Sequence, residues 1–438
     1  MSDSRPSGSS FGAELRRLRL QARLTLGELA ARTHFSKGYL SKVEHGLKSP
    51  SLDFARRCDA ALEADGRLIR RVADEPQIRQ VVHSTELTGE LARNAIDDEA
   101  TMPGNPTGES EVLSAVSADE VHPTVEGSLS AFRRLLENLR DLGQTLGPSA
   151  IMPMLLPQVA ALEELSRRVD QSSIAEVLLL AARFAEYTGW MSQELGDDNG
   201  ALSWTDRAVV LARDAGDADL IAYAYVRRAN IALYQHDSYG TVVNARRAQA
   251  MDCSARVQGL AAQREAQGHA LAGDYQAFRC CLDRSVELLA SHEDERDDRP
   301  RLGPTRIRDS VALSEGWGLY DLGRGEEAAE VLTRALDHTL SQAGRARARI
   351  GARLALALAS VGQIDRACAV VQPILVMFPT MESATIRADL RQLTRTLNRW
   401  SNHPSVQRIL PELSAALTPT SAYPSSLHID VLGASPDA

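Results

Sequence analysis

Residues 24–51, which read LTLGELAARTHFSKGYLSKVEHGLKSPS, decide the fold of the N-terminal part of this chain. Thr25 is followed three residues later by Glu28, the pattern of a capping box, and this predicts the start of a helix. Ser36 is a good N-cap residue for a further helix, and Gly46 is suited to end it. The stretch therefore predicts two short helices joined by a tight turn.

The second of these helices has distinct inner and outer faces. Leu40 and Val43 point inward by their spacing of three residues. The outer face is polar and carries lysines, and in helix-turn-helix proteins the N-terminal part of this helix meets base edges in the DNA major groove. Lysine donates to guanine, and serine serves as donor or acceptor. The predicted DNA-binding residues are Ser36, Lys37, Gly38, Tyr39, Ser41 and Lys42, with Arg17, Lys48 and Ser49 beside them.

The distribution of charge separates this segment from the rest of the chain. Residues 11–72 hold 13 Lys or Arg and 7 Asp or Glu, a net charge of +6. The whole chain is −9, which leaves −15 for the remainder. A lysine-bearing helix face is usually only solvated, but a basic module on an acidic body is typical of a DNA-binding domain.

Residues 11–72 resemble the phage-repressor-like (Cro/C1, or XRE) helix-turn-helix family. In this family Glu44 is a structural residue, which we expect to be tied to Arg19. The sequence departs from the family at Leu26, where the family usually has a glutamine that contacts a phosphate. The residues that carry the resemblance are Arg19, Leu29, Ala30, Ser36, Leu40, Ser41, Glu44, Gly46, Pro50 and Ser51.

Length and composition bound the remaining possibilities. At 438 residues, the chain is expected to form two or three folded units. Neither a signal peptide nor a membrane span is indicated, and the five cysteines are expected to be reduced thiols in a cytoplasmic protein. Residues 74–127 are rich in Pro, Gly and acids, which predicts a flexible linker that either adjusts head spacing or serves only as a spacer.

The C-terminal part of the chain is predicted to be helical and repetitive. Five inter-helix turns recur, with small residues seven positions before and twelve positions after the first residue of each turn, except for Ile374 after the last turn, as required for close packing of paired helices. These turns begin at Gly196, His236, Gly273, Gly323 and Gly362. The spacing and the small residues resemble tetratricopeptide repeats, although the intervals are irregular. The resemblance implies a solenoid with a concave binding face.

The residues after the small positions are expected to line that concave face. Aromatic and amide side chains there suit a peptide or another small molecule. The alternative is that the aromatic residues only pack between helices. The predicted ligand-binding residues are Trp190, Tyr223, Asn230, Tyr234, Gln263, Gln267, Trp317 and Tyr320.

The predicted architecture is all-α, with a five-helix helix-turn-helix domain at 11–73, a linker at 74–127, tetratricopeptide-like repeats at 128–417 and a disordered tail at 418–438. No catalytic, metal or cofactor motif is apparent, so we expect no enzyme activity. The layout resembles peptide-responsive regulators of Gram-positive bacteria, which implies a cytoplasmic homodimer, a palindromic operator and a signal bound by the repeats. The alternative is a DNA-anchored scaffold whose repeats dock a protein partner.

Overall fold

The computed structural model describes residues 10–72, 125–292, 302–304 and 310–418. Within these ranges all regular secondary structure is helical, so the all-α prediction is confirmed. Two sequence predictions concern segments largely outside the described residues: the linker at 74–127 and the C-terminal tail at 418–438.

The N-terminal domain is built from five short helices. Their ends follow from local chemistry: Thr25 and Glu28 form the expected capping box, and Ser36 accepts the backbone N–H of Tyr39. Gly46 has a φ of 71°, which glycine adopts without strain, where the chain leaves the third helix. The helices are α1 (Phe11–Gln21), α2 (Leu26–Thr33), α3 (Lys37–Glu44), α4 (Leu52–Ala61) and α5 (residues 67–72).

The core of this domain lies where α1, α3 and α4 meet. A Cβ atom on Gly12 would lie 2.3 Å from the carbonyl oxygen of Val43, so only glycine lets α1 approach α3 this closely. Leu26 is partly buried against the same core. It thus contributes packing at the position where the related family has a polar contact. The fully buried core side chains include Leu15, Leu29, Leu40, Phe54 and Leu68.

An ion pair between Arg19 and Glu44 ties α1 to the end of α3. The Arg19 guanidinium donates to both carboxylate oxygens, at 2.6 and 2.9 Å. Their side chains are 10% and 2% exposed. Arg19 also donates to the carbonyl oxygen of Leu24. The expected structural role of Glu44 is therefore confirmed by its contacts.

The C-terminal part is an array of antiparallel helices. Consecutive helices pair across the five turns predicted from the sequence. The helices are α6 (Val125–Leu142), α7 (Pro148–Ser166), α8 (Gln171–Leu195), α9 (Asp198–Asp214), α10 (Ala218–Tyr234), α11 (Ser238–Gln249), α12 (Ala255–Leu271), α13 (Tyr275–His292), α14 (Ser310–Asp321), α15 (Gly325–Asp337), α16 (Gly344–Ser360), α17 (Ile364–Met381), α18 (Ala384–Leu397) and α19 (Pro404–Leu417).

Small residues allow the paired helices to pack closely, as the repeat pattern predicts. A Cβ atom on Gly316 of α14 would lie 2.5 Å from Cγ of Leu332 on α15. The corresponding residues Ala229, Ala266 and Ala355 are fully buried. The array also holds two pairs outside the five repeats. The sequence suggests α6–α7, whereas α18–α19 carries none of the repeat signals.

The two ends of the helical array contact each other, which sequence reasoning did not anticipate. Arg345, at the start of α16, donates to the carbonyl oxygens of Gly143 and Leu146 in the α6–α7 turn, at 2.7 and 2.9 Å. The same guanidinium donates to Glu194 at 3.0 Å and to the carbonyl oxygen of Met381 at 2.9 Å. One buried arginine therefore joins α8, the α6–α7 turn, α16 and the end of α17.

Helix α17 is long and apolar enough in composition to cross a membrane. It is the one helix with this property in the part of the chain that the structure describes. Here it packs between α16 and α19 and buries Ile364, Val371 and Phe378 in the repeat core.

Replacing Arg19 with Gln is expected to destabilise the N-terminal domain by about 3 kcal/mol, because a buried carboxylate loses its charged partner. Native-state hydrogen exchange of the intact protein, read over residues 37–44, measures this change. The control is Arg16→Gln, which removes an exposed cation from the same helix and should have little effect. Equal protection in the two variants would contradict the role of Arg19.

Candidate functional site

The outer face of α3 is open to solvent. Lys37, Gly38 and Lys42 are exposed, and Ser41 is partly exposed. A Cβ atom on Gly38 would meet no atom within 4 Å, so the surface there is unobstructed. The residues predicted to read base edges therefore share one accessible surface.

The other predicted DNA-binding residues surround this face in supporting positions. Tyr39 stacks on Phe35, with ring centroids 5.3 Å apart, and burial raises the pKa of its hydroxyl. The ammonium of Lys48 lies 5.6 Å from the centre of the Tyr39 ring. Ser36 caps α3, and Ser49 is exposed in the loop after it. Arg17 is held by Glu14 on α1.

Lysine usage marks the same surface. The chain contains three lysines, Lys37, Lys42 and Lys48, whereas its other 46 basic side chains are arginines. All three lysines are exposed. This signal was available in the sequence, and its physical consequence is that every lysine side chain of this protein lies on or next to α3.

The N-terminal domain is docked on the helical array through α4. Arg56 pairs with Asp321 at 3.0 Å, and their side chains are 6% and 2% exposed. Arg399, in the turn after α18, donates to Asp53 at 2.9 Å and to the carbonyl oxygen of His34 at 2.8 Å. The docked surface lies on elements other than α3, so the lysine-bearing face stays free.

Glycines in the inter-helix turns allow this docking. A Cβ atom on Gly273 would lie 2.3 Å from Cα of Gly66, and one on Gly323 would lie 2.4 Å from the carbonyl oxygen of Arg56. All three glycines have φ between 77° and 80°. The turns that define the repeats therefore also form the seat of the N-terminal domain.

A cavity of about 180 Å³ opens among the repeat helices. Its wall combines aromatic side chains, arginines and amides from α6, α8, α10, α12, α14 and α16, with Gly303 and Pro304. Its charged, aromatic and amide side chains include Glu186, Trp190, Tyr223, Arg227, Asn230, Arg264, Gln267, Trp317, Arg345 and Arg349.

Five of the eight predicted ligand-binding residues lie in this wall: Trp190, Tyr223, Asn230, Gln267 and Trp317. The other three lie outside it. Tyr234 packs against Trp317 with ring centroids 5.0 Å apart. Gln263 is fully buried and bonds to Ser310 and Ser314. Tyr320, three residues further along α14 than Trp317, is buried in the repeat core.

Sequence reasoning missed four of the five arginines of the cavity and placed only Arg349 near the predicted face, one turn away from it. Arg140, Arg227, Arg264, Arg345 and Arg349 all contribute to the wall. They come from four helices that are distant in sequence, so no local motif marks them. Their repeated occurrence on the first helix of each pair, near the predicted positions, was the one available signal.

Helix α14 links the cavity to the N-terminal domain. Leu313, Ser314 and Trp317 line the cavity. Asp321, one turn further along the same helix, holds Arg56 of α4. Arg353 covers the Trp317 ring at 3.7 Å and pairs with Asp389 at 2.8 Å. A shift of α14 would therefore change both the cavity wall and the contact with α4.

One cluster elsewhere has the residue types of a metal site: Glu265, His269 and Cys281. Arg246 and Gln249 both donate to Glu265 at 2.7 Å. Burial would raise the pKa of Glu265, but hydrogen bonds from His269, Arg246 and Gln249 hold it at about 2. Because the Arg246 cation already occupies the carboxylate, the cluster is better described as an ion-pair network.

Comparison with known proteins identifies the N-terminal domain. Residues 10–72 match a family model described as a helix-turn-helix domain. No curated protein matches the chain. The crystal structure of PlcR from Bacillus thuringiensis, in complex with the peptide PapR7 and DNA, aligns over 92% of this chain and 99% of that chain at 13% identity, with a TM-score of 0.20. A TM-score this low carries no argument about shared fold or function.

Replacing Glu194 with Gln is expected to loosen the contact between the two ends of the array. Burial would raise the pKa of this carboxyl, but Arg349 and Arg345 hold it below its usual value, so it is charged. Its loss leaves two buried guanidinium groups without a carboxylate, at a cost of about 3–5 kcal/mol. Hydrogen exchange should accelerate at residues 143–147 and 381–386, and the thermal midpoint should fall.

The matched control is Glu164→Gln, which removes a carboxylate held by Arg167 and Arg168 on the surface of α7. Hydrogen exchange at residues 143–147 and 381–386 should be unchanged in this variant. The same exchange pattern in both variants would show that the Glu194 cluster does not hold the ends together.

Proposed function

We propose that this chain is a sequence-specific DNA-binding transcription regulator whose helical repeats sense a peptide or small molecule. The observation that carries the first half is the free face of α3 on a helix-turn-helix domain with a net charge of +6. Helices of this kind present their N-terminal residues to base edges. The proposed base contacts are made by Lys37, Ser41 and Lys42, with Lys48 and Ser49 at the phosphates.

The cavity supports the second half of the proposal. It gathers aromatic walls and a few convergent polar groups, the usual features of a ligand site. By the measure in which one water needs about 10–15 Å³, it holds on the order of a dozen waters. This volume suits a small molecule or one or two residues of a peptide. It favours a sensed ligand over the docking of a folded protein partner.

The proposed signal passes along α14. A ligand that contacts Trp317 more favourably in one position of α14 than in another shifts the equilibrium between those positions. Asp321 moves with the helix and shifts its ion-pair partner Arg56 on α4. The N-terminal domain then changes its orientation, and α3 changes with it. Coupling of this kind is reciprocal, so DNA binding should also alter the cavity.

A homodimer on a palindromic operator completes the proposal. One copy of α3 reads only a few base pairs, and a two-fold symmetric pair reads two half-sites about one helical turn apart. Docking of each N-terminal domain on the helical repeats of the same chain fixes the spacing of the two copies of α3.

The double variant Lys37→Ala/Lys42→Ala is expected to lower operator affinity by roughly 100-fold or more, because two donors to base edges or phosphates are lost. The operator is first obtained by selection from random duplex DNA with the native protein. Fluorescence anisotropy then gives the dissociation constants. The control is Arg213→Ala/Arg247→Ala, which removes two exposed cations from the repeats.

The three lysines allow an independent test of the same proposal. An amine-acetylating reagent modifies only Lys37, Lys42, Lys48 and the chain's amino terminus, since no other lysine is present. Operator DNA should protect Lys37 and Lys42, as read by mass spectrometry. Equal acetylation with and without DNA, or unchanged affinity of the double variant, would refute DNA reading by α3.

A further inference from the structure

We propose that the repeat cavity is an anion site: its ligand carries a carboxylate or phosphate group held by Arg227 and Arg264. This inference rests on the proposed sensing function and names the chemical class of the ligand. It starts from the charges in the cavity wall, which do not balance among the residues that the structure describes.

The negative charges near the cavity are largely committed elsewhere. Glu194 takes up Arg345 and Arg349, at 3.0 and 2.5 Å. Among the described residues of the wall, Glu186 is the one carboxylate, and it lies 3.7 Å from Arg140 and 3.8 Å from Arg227, longer than a charge-assisted hydrogen bond. Positive charge therefore exceeds negative charge at the wall.

Arg264 is the cation that this excess leaves without a carboxylate. Its polar contact in the described structure is the Asn230 side-chain oxygen, at 3.0 Å. Burial, together with the nearby Arg349 and Arg227, lowers the pKa of Arg264 to about 10, against the opposing effect of Tyr223 and Tyr234. A cation in such surroundings gains most from an anionic partner.

Buried polar atoms without partners surround the same place. Gln267 is fully buried, lines the cavity and has no hydrogen bond at either amide atom. Nε of Arg227 and Nε of Arg349 also lack a hydrogen-bond acceptor. Buried donors are rarely left unpaired in native structures. Three donors on α10, α12 and α16 therefore await an acceptor, which a carboxylate or phosphate supplies.

The rest of the wall defines the remainder of the ligand. Trp190, Trp317, Leu260 and Leu313 contribute apolar surface to the cavity. The ligand is thus an organic anion with an apolar portion, such as the end of a short peptide with a free carboxylate. Roughly a dozen non-hydrogen atoms fit inside the cavity.

The test compares two probes of equal size on the full-length protein. N-acetyl-L-leucine carries a carboxylate, and N-acetyl-L-leucinamide is its neutral counterpart. The acid is expected to bind at least about tenfold more tightly, as measured by saturation-transfer NMR and tryptophan fluorescence. Inorganic phosphate is the competitor: displacement of the acid assigns a site that also takes phosphate, and no displacement assigns a carboxylate site.

The variant Arg264→Gln should weaken binding of the acid about tenfold or more and leave binding of the amide unchanged. Arg264→Lys, which keeps the charge, should restore part of the affinity. The control Arg247→Gln removes an exposed cation from α11 and should have no effect. The comparison of acid with amide needs no variant, so it stands even if Arg264→Gln fails to fold.

Equal binding of acid and amide, or no binding of either at millimolar concentration, would overturn the anion site. Operator affinity measured on the same samples separates this outcome from the proposed function. If operator binding is intact but the acid binds no more tightly than the amide, only the anion site is contradicted. Lost DNA binding with a clear preference for the acid removes the proposed regulator and leaves the anion site.

Discussion

The buried carboxylate of Glu194 is the constraint on which the shape of the repeat domain depends. Its side chain is fully buried and is held by Arg345, Arg349, Ser383 and Thr385. A buried charge is tolerated only when it is fully paired, so these groups must stay together. They belong to α8, α16 and α18. Satisfying one charge therefore brings the two ends of an otherwise linear array into contact and bounds the cavity between them.

Closure of the array has consequences for charge and for communication. Arg345 and Arg349 are neutralised by Glu194 at the wall, whereas Arg227 lies 3.8 Å from Glu186 and Arg264 donates to the amide oxygen of Asn230. The inter-helix turns contact the N-terminal domain, which is also held by the Arg56–Asp321 pair. Helix α14 contributes to both places. The cavity and the seating of the helix-turn-helix domain thus both depend on α14.

Local chemistry in the sequence predicted much of this fold. The Arg19–Glu44 pair was expected from the resemblance to the phage-repressor-like family, whereas capping by Thr25 and Ser36 and the five repeat turns follow from neighbouring residues or a fixed period, and these were correctly anticipated. Contacts between distant segments were not. Arg345 meets Gly143 across 202 positions and Glu194 across 151, and no periodic signal records such a pairing. For the same reason the aromatic and amide positions at the cavity were named, while all of its arginines except Arg349 were missed.

The central claim is that the cavity and the DNA-reading face are coupled through α14. Hydrogen exchange over residues 310–321, with and without selected operator DNA, tests it most directly. The account predicts that operator binding changes hydrogen exchange in this segment of the wild-type protein. In Arg56→Gln, which breaks the pair with Asp321, this change should be abolished while α3 still binds the operator. Unchanged exchange in the wild-type protein at saturating operator would contradict it.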